Sequence, residues 1–240
     1  MRNENELVEE IFMESPLFHK GETEIPGKFK LNDSFLNKRL KGKIYNNDEM
    51  CYGIGREVAF FIMDSVKDNF STMEIGSGVS TLIFAIKATN HIAITPSEFE
   101  VEKIKDYASR KDISLKKVTF YNSPSEDILP KLKLDKLDFI FIDGKHSFPW
   151  PIVDWFYSVD FLKQDGIILI DDAQIKAVRI LIDFMEAEKG WVQVYEYKRK
   201  IYGFKKLFSD SIKEFAWHMQ NFNRNKSLKN RLKMILQQIR

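Results

Sequence analysis

The 240-residue sequence has one cysteine, Cys51. That excludes an intramolecular disulfide and any cysteine-rich zinc site. No apolar run approaches the roughly 20 residues that span a bilayer. An excess of one charge is also missing: 37 Lys and Arg stand against 35 Asp and Glu, for a net charge of +2. Such a balance gives no global field for nucleic acid, and none is expected as a partner. Internal repeats and low-complexity tracts are absent. The first residues, MRNENELVEE, are polar and acidic and do not read as a secretory signal. A cytoplasmic protein is therefore expected. What is present is ordinary for a globular chain, with 44% hydrophobic and 30% charged residues. The length suits one larger α/β domain with appendages, or two small domains.

Residues 1–54 carry breakers, Gly21, Pro26 and Gly27, after a short helical pattern at Leu7, Ile11 and Phe12. They form an N-terminal extension, with a substrate or lid segment as its expected role. Residues 55–207 read as the main domain. It opens with a helix over 55–67, where Val58, Ile62 and Val66 recur every four residues. Strands and helices then alternate: FSTMEI, STLIFAIKAT, HIAIT, a helix over 97–111, LKKVTFY, SEDILPKL, LDFIFID, a helix over 150–162, GIILID, and a helix over 175–188. Ser97 and Glu100 make a capping-box pattern. Strands such as FIFI and IILI are apolar on both faces, as strands covered by helices on both sides must be. This alternation predicts an α/β fold with a doubly wound, mostly parallel sheet. The run WVQVYEYKRKIYGFKKL breaks it and predicts an antiparallel hairpin at the sheet edge. Residues 208–240 form a basic tail. Leu228, Leu232, Ile235 and Ile239 make a helical stripe, expected to pack on the domain or on a second copy in a homodimer.

Two motifs carry chemistry. The first is MEIGSGVST, residues 73–81. A strand ends, Gly76 and Gly78 follow, and a helix begins, which is where this fold class places a ligand. A dinucleotide loop would have a third glycine where Thr81 stands. Glu74, two residues before Gly76, suits a ligand with an ammonium group better than one with phosphates. The second motif is paired. FIFIDGKH and IILIDDAQ are buried-type strands ending in Asp143 and in Asp171–Asp172. Neighbouring strands would bring these carboxylates to about 4.8 Å spacing. Unpaired, they repel and raise a pKa. A hard divalent cation, Mg²⁺ for oxygen donors, relieves that repulsion. The competing reading makes the aspartates helix caps. His146 has an imidazole suited to taking a proton from a hydroxyl near neutral pH.

Glu74-x-Gly76-x-Gly78, opening an alternating domain that closes with a hairpin, resembles the class I S-adenosylmethionine-dependent methyltransferases over about residues 55–207. Asp143-Gly144-x-His146 with LKQDGIILIDDA is similar to their metal-dependent O-methyltransferase branch, of catechol or sugar type. The resemblance implies seven strands and S-adenosylmethionine as cofactor. It implies a pocket formed by Glu74, Gly76, Ser77, Gly78, Ser80, Thr81 and Asp143. Asn122, Ser123 and Ser125 would lie near the adenine. It also implies Mg²⁺ on Asp143, Asp171 and Asp172, with His146 as general base and a small-molecule or sugar hydroxyl as acceptor. The family's acid at the end of the second strand is replaced by Thr95, so Thr95 or Glu98 would meet the ribose. A metal-independent methyltransferase and a non-catalytic methyltransferase-like binding domain are the alternatives.

Overall fold

A computed structural model describes residues 3–14, 18, 54–214 and 216–224. The strands are β1 (Ser71–Ile75), β2 (Asn90–Thr95), β3 (Val118–Asn122), β4 (Leu137–Ile142), β5 (Leu162–Ile170), β6 (Trp191–Tyr197) and β7 (Ile201–Lys206). They form one sheet in the order β3-β2-β1-β4-β5-β7-β6. The first five pair in parallel, and β7 pairs antiparallel with both β5 and β6. The helices are α1 (Glu4–Glu14), α2 (Arg56–Ser65), α3 (Val79–Lys87), α4 (Glu98–Arg110), α5 (Ser125–Ile128), α6 (Trp150–Ser158), α7 (Lys176–Ala187) and α8 (Asn221–Arg224). This is the expected doubly wound, mostly parallel seven-stranded sheet with its antiparallel hairpin. Strand order reverses between β1 and β4, so the ligand crevice of such a sheet opens at their carboxyl ends.

Strand periodicity divides the core between the two faces. Phe139 and Phe141 of β4 enter one cluster with Val58, Ile62, Leu82 and Phe84. Ile140 and Ile142 enter the other with Trp155, Val178, Leu181 and Phe204. Helix α1 joins the first cluster through Val8 and Ile11, both fully buried. Lys87 reaches Glu4 at 3.0 Å and Tyr107 reaches Glu14 at 2.9 Å, so α3 and α4 hold α1 against the domain. The hairpin is held on this side too: the Tyr195 ring stacks on Phe61 with centroids 3.9 Å apart.

Two segments differ from the sequence pattern. The helix expected over 150–162 ends at Ser158 and passes through a 3-10 turn, Val159–Phe161, into β5. The cause is Lys206, whose buried Nζ donates to Val159 O at 3.1 Å and Leu162 O at 3.0 Å. That ammonium takes carbonyls at the helix end and starts the strand early. Residues 209–240 are helical in sequence pattern, but the described part, to Arg224, forms 3-10 turns, Ile212–Glu214 and Trp217–Met219, and the single turn of α8. Asp160 accepts from Ile212 N and Ser211 Oγ, which pins this segment as turns. The stripe from Leu228 to Ile239, and residues 19–53 of the extension, lie outside the described residues.

Candidate active site

The glycine loop follows from β1. Gly76 has φ 111°, and a Cβ there would stand 2.4 Å from Asp143 O. Both facts require glycine. Gly76 N donates to Ile94 O at 2.8 Å and Asp143 N donates to Ile75 O at 2.9 Å, so the loop is clamped between the ends of β2 and β4.

Glu74 lies beneath this loop and is 1% exposed. Its carboxylate accepts from Ser80 Oγ at 2.5 Å and from Thr81 Oγ1. His91 Nε2 stands 3.0 Å from Oε1, and the other ring nitrogen lies 2.8 Å from Thr72 Oγ1. Thr81 Oγ1 also accepts from Gly78 N at 3.0 Å. Thr81 thus ties the loop to the carboxylate at the position where a dinucleotide loop would have glycine. Glu74, Ser80 and Thr81 form one buried network with His91, a residue the sequence did not single out. Its signal was an imidazole beginning a strand beside the one that carries Glu74.

At the end of β2, Thr95 meets Glu100. Ser97 Oγ caps α4 by accepting from Glu100 N at 3.2 Å. The Glu100 side chain does more than a capping box asks. Its Oε2 accepts from Ser77 Oγ at 2.8 Å and from Thr95 Oγ1 at 3.4 Å. A buried carboxylate therefore bridges the glycine loop and the end of β2, while Glu98 is exposed. At the end of β3, Asn122 is exposed and Ser123 partly buried. Ser125 Oγ donates to Asp154 Oδ1 at 2.5 Å. Asp154 is fully buried under Gly144, and burial pushes its carboxyl up to about 6. It was hidden in the apolar helix pattern of α6.

Past β4 and β5 the carboxylates gather. Ile142 pairs with Ile170, and Asp171 N donates to Ile142 O at 3.0 Å, which sets Asp143 and Asp171 side by side. Asp172 has φ 58°. Asp143, His146 and Asp172 present ligand atoms all within 4.8 Å of one another. His146 Nε2 stands 2.9 Å from Asp172 Oδ2 and 3.7 Å from Asp143 Oδ1. Asp171 stands beside this group and accepts from Asp172 N with Oδ1. Lys145 points to the Trp150 ring, 4.3 Å from its centroid. Burial and the charges of Asp171 and Asp172 push the Asp143 carboxyl well above the ordinary range. Burial raises Asp171 as well. Against burial, hydrogen bonds from His146 and Gln174 hold Asp172 down to about 2. Lys200 stands 3.5 Å from Asp171 and 3.6 Å from Asp172, a cation that the sequence showed simply as part of a charged turn.

Residues 73–173 match the family model described as a methyltransferase domain. No curated protein matches the chain. Among solved structures, the O-methyltransferase TomG from Streptomyces achromogenes, involved in tomaymycin synthesis and bound to S-adenosylmethionine, is similar. It superposes with a TM-score of 0.53 at 12% identity, over 87% of this chain and 100% of that one. An O-methyltransferase from Bacillus cereus, bound to S-adenosylhomocysteine, has a TM-score of 0.51 at 15% identity, over 81% and 100% of the two chains. The strand order and the glycine loop at the switch point agree with that match: over residues 73–173 the chain is similar to a methyltransferase domain, and its sheet has the fold of these two structures.

Proposed function

We propose that this chain methylates a hydroxyl oxygen of a small molecule, a sugar hydroxyl included, with help from a divalent cation, Mg²⁺. One observation carries the reading: Asp143, His146 and Asp172 converge within 4.8 Å at the edge that also bears the glycine loop. Carboxylate oxygens are the donors that a hard divalent ion accepts, and the imidazole stands beside them as the base. Asp143 and Asp172 are the central ligands in this reading, with Asp171 supporting them from the side. The ion's chemistry would be to orient the acceptor oxygen and make its proton more acidic. The cofactor supplies the methyl group.

The chain's own residues do the rest. The backbone of Gly76, Ser77 and Gly78 lines the cofactor's approach, above the Glu74 network that fixes the loop. Glu100, with Thr95 and Ser77, offers the ribose hydroxyls the carboxylate that β2 lacks at its end. Ser123 and Ser125 face the adenine end. His146 takes the acceptor's proton, and a cation on Asp172 would free its Nε2 for that role. Alignment supplies much of the rate, because methyl transfer needs an in-line approach. TomG, named for an antibiotic pathway, supports a small-molecule acceptor. No described helix is long and apolar enough to cross a membrane.

Calorimetric titration with S-adenosylhomocysteine, with and without Mg²⁺, tests this. We expect binding in both conditions and Mg²⁺-dependent transfer to a hydroxyl acceptor. A flat trace in both would remove the cofactor reading. Transfer indifferent to chelator would remove the metal.

A further inference from the structure

The carboxylate cluster has a cation of its own. Lys200 Nζ lies 3.5 Å from Asp171 Oδ1 and 3.6 Å from Asp172 Oδ1. The backbone fixes where this side chain starts. Lys198 and Arg199 have φ 51° and 54°, both left-handed, in the three-residue turn 198–200 between β6 and β7. Lys200 N donates to Tyr197 O at 2.9 Å, and Lys200 O accepts from Ala173 N at 2.7 Å. The turn is therefore tied to the residue that follows the aspartate pair. The tip is freer: the side chain is 42% exposed, on a flexible four-carbon stem that can swing into water.

The oxygens that Lys200 approaches belong to the same cluster a divalent ion would use. Asp172 divides its two oxygens: Oδ2 faces His146, and Oδ1 faces Gln174 Nε2 at 2.6 Å and Lys200. An ion binding at Asp143 and Asp172 meets the ammonium across a few ångströms of partly buried space. There, like charges repel far more than in bulk water. We propose that Lys200 is a built-in counter-ion of the cluster, competing with the divalent cation for Asp171 and Asp172. This rests on the metal-assisted reading above. Without the ion, Lys200 offsets part of the carboxylate repulsion and lets the site fold. With the ion, it keeps affinity low and exchange fast, so occupancy follows the metal concentration.

The test uses Mn²⁺ alone as probe. The full chain, Lys200→Met and Lys200→Arg are titrated with Mn²⁺ by calorimetry and by loss of the free-ion paramagnetic signal. The same samples are titrated with S-adenosylhomocysteine. Lys200→Met should bind Mn²⁺ about tenfold more tightly or better, as expected for removing one nearby positive charge at intermediate dielectric. Lys200→Arg, which keeps the charge, should stay near wild type. Metal-free Lys200→Met should melt lower than wild type, and Mn²⁺ should raise its melting temperature more. Lys200→Gln is the replacement should the methionine variant not fold. Equal or weaker Mn²⁺ binding in the neutral variants overturns the proposal while leaving the metal reading intact. Absence of Mn²⁺ binding in every protein, with S-adenosylhomocysteine still bound, overturns both the proposal and the metal reading, and leaves the methyltransferase assignment standing.

Discussion

Two buried polar clusters share one sheet edge, and they obey opposite rules. Beneath the glycine loop, Glu74 is met by Ser80, Thr81 and His91, so its charge is matched by donors on the spot. Past β4 and β5, Asp143, Asp171 and Asp172 crowd together, and their neighbours only partly compensate. A carboxylate with its partners supplied holds shape. Carboxylates kept together against repulsion are an arrangement that chemistry uses and folding alone does not need.

The largest expected effect breaks the first cluster. Glu74→Ala strips acceptors from Ser80, Thr81 and His91 in a dry environment. We expect a loss of about 3–5 kcal/mol in denaturant unfolding, whereas Glu74→Gln, which still accepts hydrogen bonds, should lose less. A change below about 1 kcal/mol would show that the network is dispensable.

The second effect has the opposite sign. Asp143 has its folded-state pKa raised, so the folded protein holds that proton more tightly than the unfolded chain does. Its ionisation therefore costs stability as pH rises through the folded value. Asp143→Asn, measured in chelator, should be more stable than wild type at alkaline pH. That gain should fade as pH falls toward the ordinary carboxylate range. Methyl transfer should drop at least about a hundredfold if Asp143 holds the ion. Loss of stability at high pH in this variant would contradict the crowded-charge picture.

The smallest effect lies between the clusters. Glu100→Gln keeps the α4 cap, which uses the Ser97 hydroxyl and the Glu100 backbone. It removes the negative charge facing Ser77 and Thr95. S-adenosylhomocysteine affinity should weaken by about 1.5 kcal/mol, the worth of a hydrogen bond to a charged group at the low end. Melting should change little. Unaltered affinity would assign Glu100 to loop support alone.

Much of the site was legible because strand-end residues announce themselves. FIFID and IILIDD show where apolar strands stop and carboxylates start, and parallel pairing of β4 with β5 did the rest. Glu100 was legible only in part, for a local reason. Three residues after a capping serine, a glutamate reads as half of a capping box. Its partner Ser77 is 23 positions away, in the glycine loop, and meets it only in the folded chain. Lys200 was obscured because KRK in a hairpin looks like solvated turn charge. Asp154 was obscured because one acid in WPIVDWFYS does not disturb the apolar pattern. The overrun of α6 has the same origin: Lys206, on a distant strand, ends it.

By itself, the sequence determined the alternation of strands and helices, the two-faced core and the chain positions of the glycine loop and the aspartates. These depend on periodicity and on residues adjacent in the chain, which any reading of neighbours recovers. Tertiary structure decided which charges meet. Glu74 became support rather than an open acid because Ser80, Thr81 and His91 close around it. The cluster past β4 and β5 took in Lys200 because an antiparallel strand brings its turn back beside Ala173. Electrostatic energy depends on distance and burial, and neither is written in local order along the chain.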